Sequence, residues 1–264
     1  MPDWTGKTAL VTGGSAGLGL AIAGAIRRRG ADVVLVARNQ SQLAQACAGL
    51  PGAVALSADL AVGGEATRVV NETAARFGRL DLVVHAAGRS TRGRVVDTPR
   101  EQFEALLALN TLAAIELAQA AAPSLVASRG SLVLIGSLAT HVAPKFLGAY
   151  PVSKHPLAAL AQQLRLELGP EGMHTLLVCP GPIARADSAD RYADQAADLP
   201  PEARKPGGGA KVRALDPQRL AEQILAACDK RKAELVIPKK ARLLFALSRL
   251  FPEWGDRLLN KKME

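Results

Sequence analysis

Short, almost continuous apolar runs alternate along the chain with longer stretches in which apolar positions recur every three or four residues. The runs KTALVT (7–12), ADVVLVAR (31–38), AVALSADL (53–60), LDLVVHAAG (80–88), GSLVLIGS (130–137), HTLLVCPG (174–181) and AELVIP (233–238) predict strands. ADVVLVAR is too continuously apolar to alternate, as expected for a parallel strand covered on both faces. Between them the spacing predicts helices from the glycine-rich GGSAGLG to about Arg29 and over 40–49, 64–77, 100–122, 150–168 and 220–229, with Gly30 and Gly78 as stops. Strand, helix, strand, helix is the order of a parallel sheet wrapped by helices. Residues 185–215, with Pro200, Pro201, Pro206 and Gly207 to 209, lose that periodicity and predict an extended excursion rather than a second domain. The expected organisation is one catalytic domain over 1–238, with a substrate loop at about 182–215, and a C-terminal extension over 239–264.

Candidate chemistry begins at the first strand–helix junction, Thr12-Gly13-Gly14-Ser15-Ala16-Gly17-Leu18-Gly19. Glycines at 13, 17 and 19 let the chain turn tightly and bring backbone close to a pyrophosphate, and the following helix N-terminus offers free N–H groups and the positive end of its dipole. This points to a dinucleotide, and with the alternating elements to an α/β fold: a single doubly wound Rossmann-type parallel sheet with helices on both faces. A site preferring NAD would carry an acidic residue after the second strand for the ribose 2′-hydroxyl. Here the strand ends Val36-Ala37-Arg38-Asn39. The Arg38 guanidinium suits a 2′-phosphate, so NADP (NADPH) is expected ahead of NAD.

Tyr150-Pro151-Val152-Ser153-Lys154 opens a predicted helix, and a spacing of four sets Tyr150 and Lys154 on one face. Tyrosine, with an ordinary pKa of about 10, is a poor base at neutral pH. A neighbouring ammonium favours the phenolate and makes proton exchange with an alcohol or carbonyl feasible. Ser137 ends the fifth strand at the carboxyl edge, where its hydroxyl can bond a substrate oxygen. With these residues, the glycine-rich turn, Asp59-Leu60, His85-Ala86-Ala87-Gly88, Asn110 and Pro180-Gly181, the sequence resembles the short-chain dehydrogenase/reductase family over nearly its whole length. The resemblance implies Tyr150 as general acid/base, Ser137 orienting the substrate carbonyl, and Lys154 binding the nicotinamide ribose and lowering the tyrosine pKa. Asn110 would hold a water in the proton relay. It further implies that Asp59 and Leu60 border the adenine, that Ala87 and Gly88 line the cofactor cleft, and that Gly13, Ser15, Ala16, Gly17, Leu18, Gly19, Pro180, Gly181 and Ile183 complete the cofactor contacts. A homodimer or homotetramer is implied as well. Three positions depart from the family: His85 stands where Asn is usual, Pro182-Ile183-Ala184-Arg185 lacks the Thr that often binds the carboxamide, and Pro156 falls inside the predicted helix, where it removes a helix bond.

Composition narrows the alternatives. Hydrophobic residues at 48% and charged residues at 22% supply a core, while 3% aromatic residues argue against a ring-lined carbohydrate or base-stacking surface. Cys47, Cys179 and Cys228 lack metal-ligand spacing and cannot all pair, and His85, His141, His155 and His174 are dispersed. Neither a metal nor a disulfide framework is expected, and a reducing, cytoplasmic compartment fits. There is no charged leader ahead of an apolar segment and no 18-residue apolar run, so neither a secretory signal nor a membrane-spanning helix is expected. The net charge of +9 is concentrated in residues 201–264, with 15 Lys or Arg against 8 Asp or Glu. These cations are interleaved with Leu and Phe rather than with polar recognition residues, which argues against nucleic acid as partner.

The expected reaction is hydride transfer between nicotinamide and a carbonyl or secondary alcohol. A dinucleotide-binding protein without catalytic activity would be expected to lack Tyr150, Lys154 or Ser137, and all three are present. The substrate pocket is expected from Leu138, Thr140, Val142, Phe146, Leu147, Pro182 and Ile183, apolar and without a cluster of Arg or Lys. That suits an uncharged, lipophilic ketone; a 3-oxoacyl thioester reductase stays open, because the charged part of such a substrate can lie outside. In residues 239–262, Leu243, Leu244, Leu247, Leu250 and Phe251 make one helical stripe flanked by Lys239, Lys240, Arg242 and Arg249, stopped by Pro252 with Trp254 just beyond. Two readings stay open: the stripe packs on the chain's own core or on a partner subunit, or it lies in a membrane interface.

Overall fold

The computed structural model describes residues 2–185, 192, 194–204, 207 and 213–261. Its strands are β1 (Thr8–Thr12), β2 (Asp32–Ala37), β3 (Val54–Ser57), β4 (Leu82–His85), β5 (Ser131–Ile135), β6 (His174–Pro180) and β7 (Glu234–Ile237). All pair in parallel, in the order β3-β2-β1-β4-β5-β6-β7. The order reverses between β1 and β4, and such a switch point opens a crevice at the carboxyl ends of the strands. Every residue of β1, β4 and β6 is buried, whereas β3, at the sheet edge, alternates half-buried and exposed.

The helices are α1 (Gly17–Arg27), α2 (Gln40–Ala48), α3 (Glu65–Phe77), α4 (Arg100–Leu107), α5 (Ala113–Ala127), α6 (Tyr150–Lys154), α7 (Pro156–Glu167), α8 (Pro201–Arg204), α9 (Pro217–Asp229), α10 (Ala241–Leu250) and α11 (Pro252–Lys261). On one face of the sheet α1, α2 and α9 bury Ile22, Ile26, Leu43 and Ile224 against Val11, Val33 and Val178. On the other, α3, α5 and α7 bury Val69, Leu117, Leu125 and Leu157 against Leu10, Val83 and Leu132. The two covered faces explain why strands such as β2 read as unbroken apolar runs, which the edge strand β3 does not. Asn39 and Asp216 start α2 and α9 by accepting the N–H groups of Gln42 and Arg219.

Four features differ from the sequence expectation. The helix expected over 100–122 is interrupted by a π turn at Ala108–Leu112 and then runs to Ala127 through Pro123. The whole run Arg100–Ala127 is long and apolar enough to cross a membrane, although no 18-residue apolar run was expected; half of its apolar window is buried inside the fold. Pro156 divides the helix expected over 150–168 into α6 and α7, with His155 still in helical conformation between them. Pro252 does not merely stop the terminal helix: it opens α11, which contains Trp254 and folds back on α10. Of the 182–215 excursion, an Ile183–Leu215 bridge closes the base and Asp194–Ala196 and α8 form short turns. Residues 186–191, 193, 205, 206 and 208–212 of that loop, which include Pro206, Gly208 and Gly209, lie outside the described residues.

Candidate functional site

The turn after β1 is built for close approach. Gly13 has φ +65°, and a Cβ there would stand 2.9 Å from the Ala87 nitrogen, while a Cβ on Gly19 would stand 2.7 Å from the Gly13 carbonyl carbon. Small residues therefore let α1 start directly against the loop that follows β4. Ala16 at the N-cap of α1 gives no side-chain hydrogen bond, so the first-turn amides face outward without a side-chain acceptor. The Arg185 Nη1 stands 3.8 Å from the place of a Gly17 Cβ. Free amides, a helix dipole and a guanidinium together fit a pyrophosphate. Arg185 was not among the residues expected here; it brings a cation to the glycine turn.

The register of β1 and β4 sets Thr12 beside His85. Thr12 Oγ1 accepts the Ala87 N–H at 3.1 Å and lies 3.3 Å from His85 Nδ1. Burial, with the Lys154 ammonium as a second cause, pushes the His85 pKa down to about 3. The ring is thus a neutral, fully buried strut at the position where Asn was expected. Asn110 sits in the π turn, fully buried. Its Oδ1 accepts the Arg89 N–H at 3.0 Å, and its Nδ2 donates to Arg89 O at 2.9 Å and Ser153 Oγ at 2.8 Å. The side chain thereby pins the loop after Gly88 to α6. Asn110→Ala leaves those buried groups unpaired, and the unfolding free energy from urea titration is expected to drop by about 2–4 kcal/mol. An unchanged midpoint and slope would contradict this bracing role.

Ser137, Tyr150 and Lys154 come together at the carboxyl end of β5. Ser137 accepts the Ala139 N–H at 3.1 Å, which fixes its rotamer, and its hydroxyl faces the cavity with the Tyr150 phenol and pulls the phenol pKa down. Lys154, nearly fully buried, donates from Nζ to the Ile135 carbonyl at 2.9 Å. Burial brings the Lys154 pKa down to about 8. Burial raises the Tyr150 pKa above its ordinary value, against the Ser137 hydrogen bond and the Arg92 charge, which pull it down. This corrects the expectation that the lysine four residues on would depress it. Shared helical face is not shared direction: the ammonium is turned toward the strand carbonyl, and the resting phenol keeps its proton.

One cavity of ≈ 510 Å³ runs from Gly13, Ala16, Leu18 and Gly19 past Ala87 and Gly88 to Ser137, Tyr150 and Lys154, and is bordered by Pro180, Gly181 and Ile183. Of the expected pocket residues, Leu138, Val142, Leu147, Pro182 and Ile183 line it. Thr140 does not: it is buried, its Oγ1 accepting the Ser137 N–H, and Phe146 also lies outside the lining. Leu244, Phe245 and Leu259 of the C-terminal helices supply apolar wall in their place. The wall is not free of cations, contrary to expectation, since Arg89, Arg92, Arg185 and Lys240 border it. Arg92 is buried; its guanidinium lies 3.6 Å from the Tyr192 ring centroid and donates to Ala203 O at 2.7 Å, while Ser90 and Tyr192 share a hydrogen bond. These contacts clamp the described part of the 182–215 excursion over the cavity.

At the far end, Ser15, Arg38, Asp59 and Leu60 lie outside the cavity lining, and Arg38 and Asp59 form an exposed ion pair at 3.7 Å across the ends of β2 and β3. Behind Ser137, His141, Cys179 and Glu234 converge, their ligand-type atoms within 4.8 Å of one another. Sequence positions far apart concealed this cluster. His141 Nε2 and Glu234 Oε1 are 2.6 Å apart, the His141 ring packs on Phe245 at 4.7 Å, and Arg242 donates to Glu234 O at 3.0 Å. Burial and the Glu234 charge push the Cys179 thiol up to about 12. The cluster seats α10 on the sheet.

Comparison with known proteins agrees with this geometry. The profile of the family described as short chain dehydrogenase matches residues 7–196. A probable short-chain type dehydrogenase/reductase from Helicobacter pylori, VdlC, is 31% identical over 95% of both chains. The ketoacyl reductase HetN from Nostoc is 28% identical over 98% of this chain and 90% of its own. A crystal structure of a short-chain dehydrogenase from Streptomyces avermitilis superposes with a TM-score of 0.79 at 28% identity, covering 95% of this chain and 97% of that one.

Proposed function

This chain belongs to the short-chain dehydrogenase family of oxidoreductases, and from that premise we propose that it is an NADP(H)-dependent reductase of apolar ketones. The observation that carries the reading is the single cavity joining the anion-binding turn of α1 to the Ser137–Tyr150 pair. Gly13 to Gly19 and Arg185 would hold the pyrophosphate, Arg38 the 2′-phosphate, and Lys154 the nicotinamide ribose. Bound NADPH would supply the hydride. Ser137 Oγ donates a hydrogen bond to the substrate carbonyl oxygen and holds it beside the phenol. Tyr150 Oη delivers the proton that completes the alcohol, and a tyrosine kept protonated by burial suits the donor role. Lys154, its Nζ fixed on the Ile135 carbonyl, would keep a charged ammonium at the cofactor side of the pair.

Leu138, Val142, Leu147 and Phe245 favour a lipophilic chain on the ketone. A 3-oxoacyl thioester is the second reading. The Nostoc relative is named a ketoacyl reductase, and Arg89 and Lys240 border the cavity, where a charged thioester carrier can rest. Leu112, Val152 and Leu166, exposed on the π turn, α6 and α7, supply apolar area for a homodimer or homotetramer. The free thiols Cys47, Cys179 and Cys228 are in keeping with a cytoplasmic setting.

The test is ketone-dependent NADPH oxidation followed over pH. Below about 8 Lys154 is charged and Tyr150 is protonated, which is the form that reduces. As pH rises through that value Lys154 loses its charge. The kcat/KM for reduction is therefore expected to be level on the acid side and to fall above about pH 8. A kcat/KM that climbs through that range would reject the proton-donor assignment.

A further inference from the structure

We propose that the α10–α11 hairpin is a docking surface for an anionic lipid bilayer. Each helix has two working faces. The inner one is already occupied: Ala241 and Phe245 are buried in the core, and Leu244, Phe245 and Leu259 form cavity wall. The outer one carries Leu243, 76% exposed, Leu250, 72%, Phe251, 56%, and Trp254, 62%. Leu243 and Leu250 are two turns apart on the same side of α10, and Phe251 and Trp254 are exposed where the chain passes into α11. The helices are held close: a Cβ on Gly255 would stand 2.5 Å from Ser248 Cα. The exposed apolar side chains thus belong to one braced surface.

Charge chooses the occupant. Lys239 and Lys240 just before the hairpin and Arg242, Arg249 and Arg257 within it are exposed, against the two exposed carboxylates Glu253 and Asp256. A second copy of the chain, related by a two-fold axis, would set cations against cations on the two faces. Anionic headgroups complement them, while Leu and Phe enter the headgroup–acyl boundary and Trp settles at it. The same helices wall the cavity, so docking brings that wall against the source of an apolar substrate. This delivery rests on the ketone-reductase reading; bilayer binding does not.

The full-length protein is sedimented with vesicles of phosphatidylcholine alone and of phosphatidylcholine with phosphatidylserine, at low and at high salt. The expected result is pelleting only with phosphatidylserine, reversed by salt. A blue shift of Trp254 emission should accompany it, over a constant background from the buried Trp4. The triple variant Leu243→Glu, Leu250→Glu, Trp254→Glu should stay in the supernatant with unchanged thermal melting and unchanged NADPH binding. Failure of the wild-type protein to pellet with phosphatidylserine at low salt would overturn the proposal, as would undiminished pelleting of the triple variant. So would a wild-type oligomer on gel filtration that the same substitutions dissolve, which would make the surface a contact between copies. Because pelleting is read without turnover, an inactive but vesicle-binding protein would refute the reductase reading alone.

Discussion

Tyr150→Phe is expected to lower ketone reduction by about 10²- to 10⁴-fold while leaving NADPH affinity unchanged, the loss usual for removing a positioned general acid. The substitution deletes one oxygen from a ring that lines the cavity beside Ser137. It leaves the ring's packing and the glycine turn of α1 untouched. The Tyr192 phenol also lines the cavity, but it is tied to Ser90 by a hydrogen bond and its ring to the Arg92 guanidinium, so Tyr150 is expected to carry the proton. Stopped-flow NADPH oxidation and fluorescence titration of NADPH separate the two effects. Retention of most of the activity on a verified ketone would show that the proton comes from elsewhere.

Arg38→Asp is expected to reverse or erase the preference for NADPH over NADH. The guanidinium stands at the end of β2 with Asp59 3.7 Å away, both largely exposed. A 2′-phosphate draws the cation into a charge-assisted pair worth roughly 1.5–3 kcal/mol, on the order of tenfold to a hundredfold in affinity. The substitution removes that attraction and sets a second carboxylate beside Asp59, so the 2′-phosphate meets repulsion while a ribose 2′-hydroxyl gains an acceptor. Equal dissociation constants for NADPH and NADH in the unmodified protein would contradict the assignment of Arg38.

The parallel sheet was legible because burial on both faces leaves its mark directly in the strands: the KTALVT and HTLLVCPG runs have no polar alternation to lose. The glycine turn and Tyr150 with Lys154 were legible for a similar reason, since backbone approach and helical spacing are local. What the sequence hid is set by partners far along the chain. Arg92 carries no local signal in the sequence; the Tyr192 ring and the Ala203 carbonyl that make it a buried clamp lie far along the chain. His141 and Glu234, 93 positions apart, meet because β7 pairs with β6 beside the turn after β5. The direction of Lys154 Nζ, and with it the sign of the Tyr150 shift, depends on the Ile135 carbonyl, which no spacing rule locates. Pro252 ends one helix, yet proline is equally suited to the first position of a new one, and α11 begins there.

The central claim, that this cavity passes a hydride from NADPH to a ketone with Tyr150 as proton donor, is tested most directly by isotope transfer. NADPH with both nicotinamide C4 hydrogens replaced by deuterium is incubated with the protein and a panel of long-chain and alicyclic ketones in ordinary water, and the alcohols are analysed by mass spectrometry. The account predicts alcohol bearing one carbon-bound deuterium, formed by the wild-type protein and not by Tyr150→Phe. Alcohol without deuterium, or no alcohol from any ketone by a protein that binds NADPH, would contradict it.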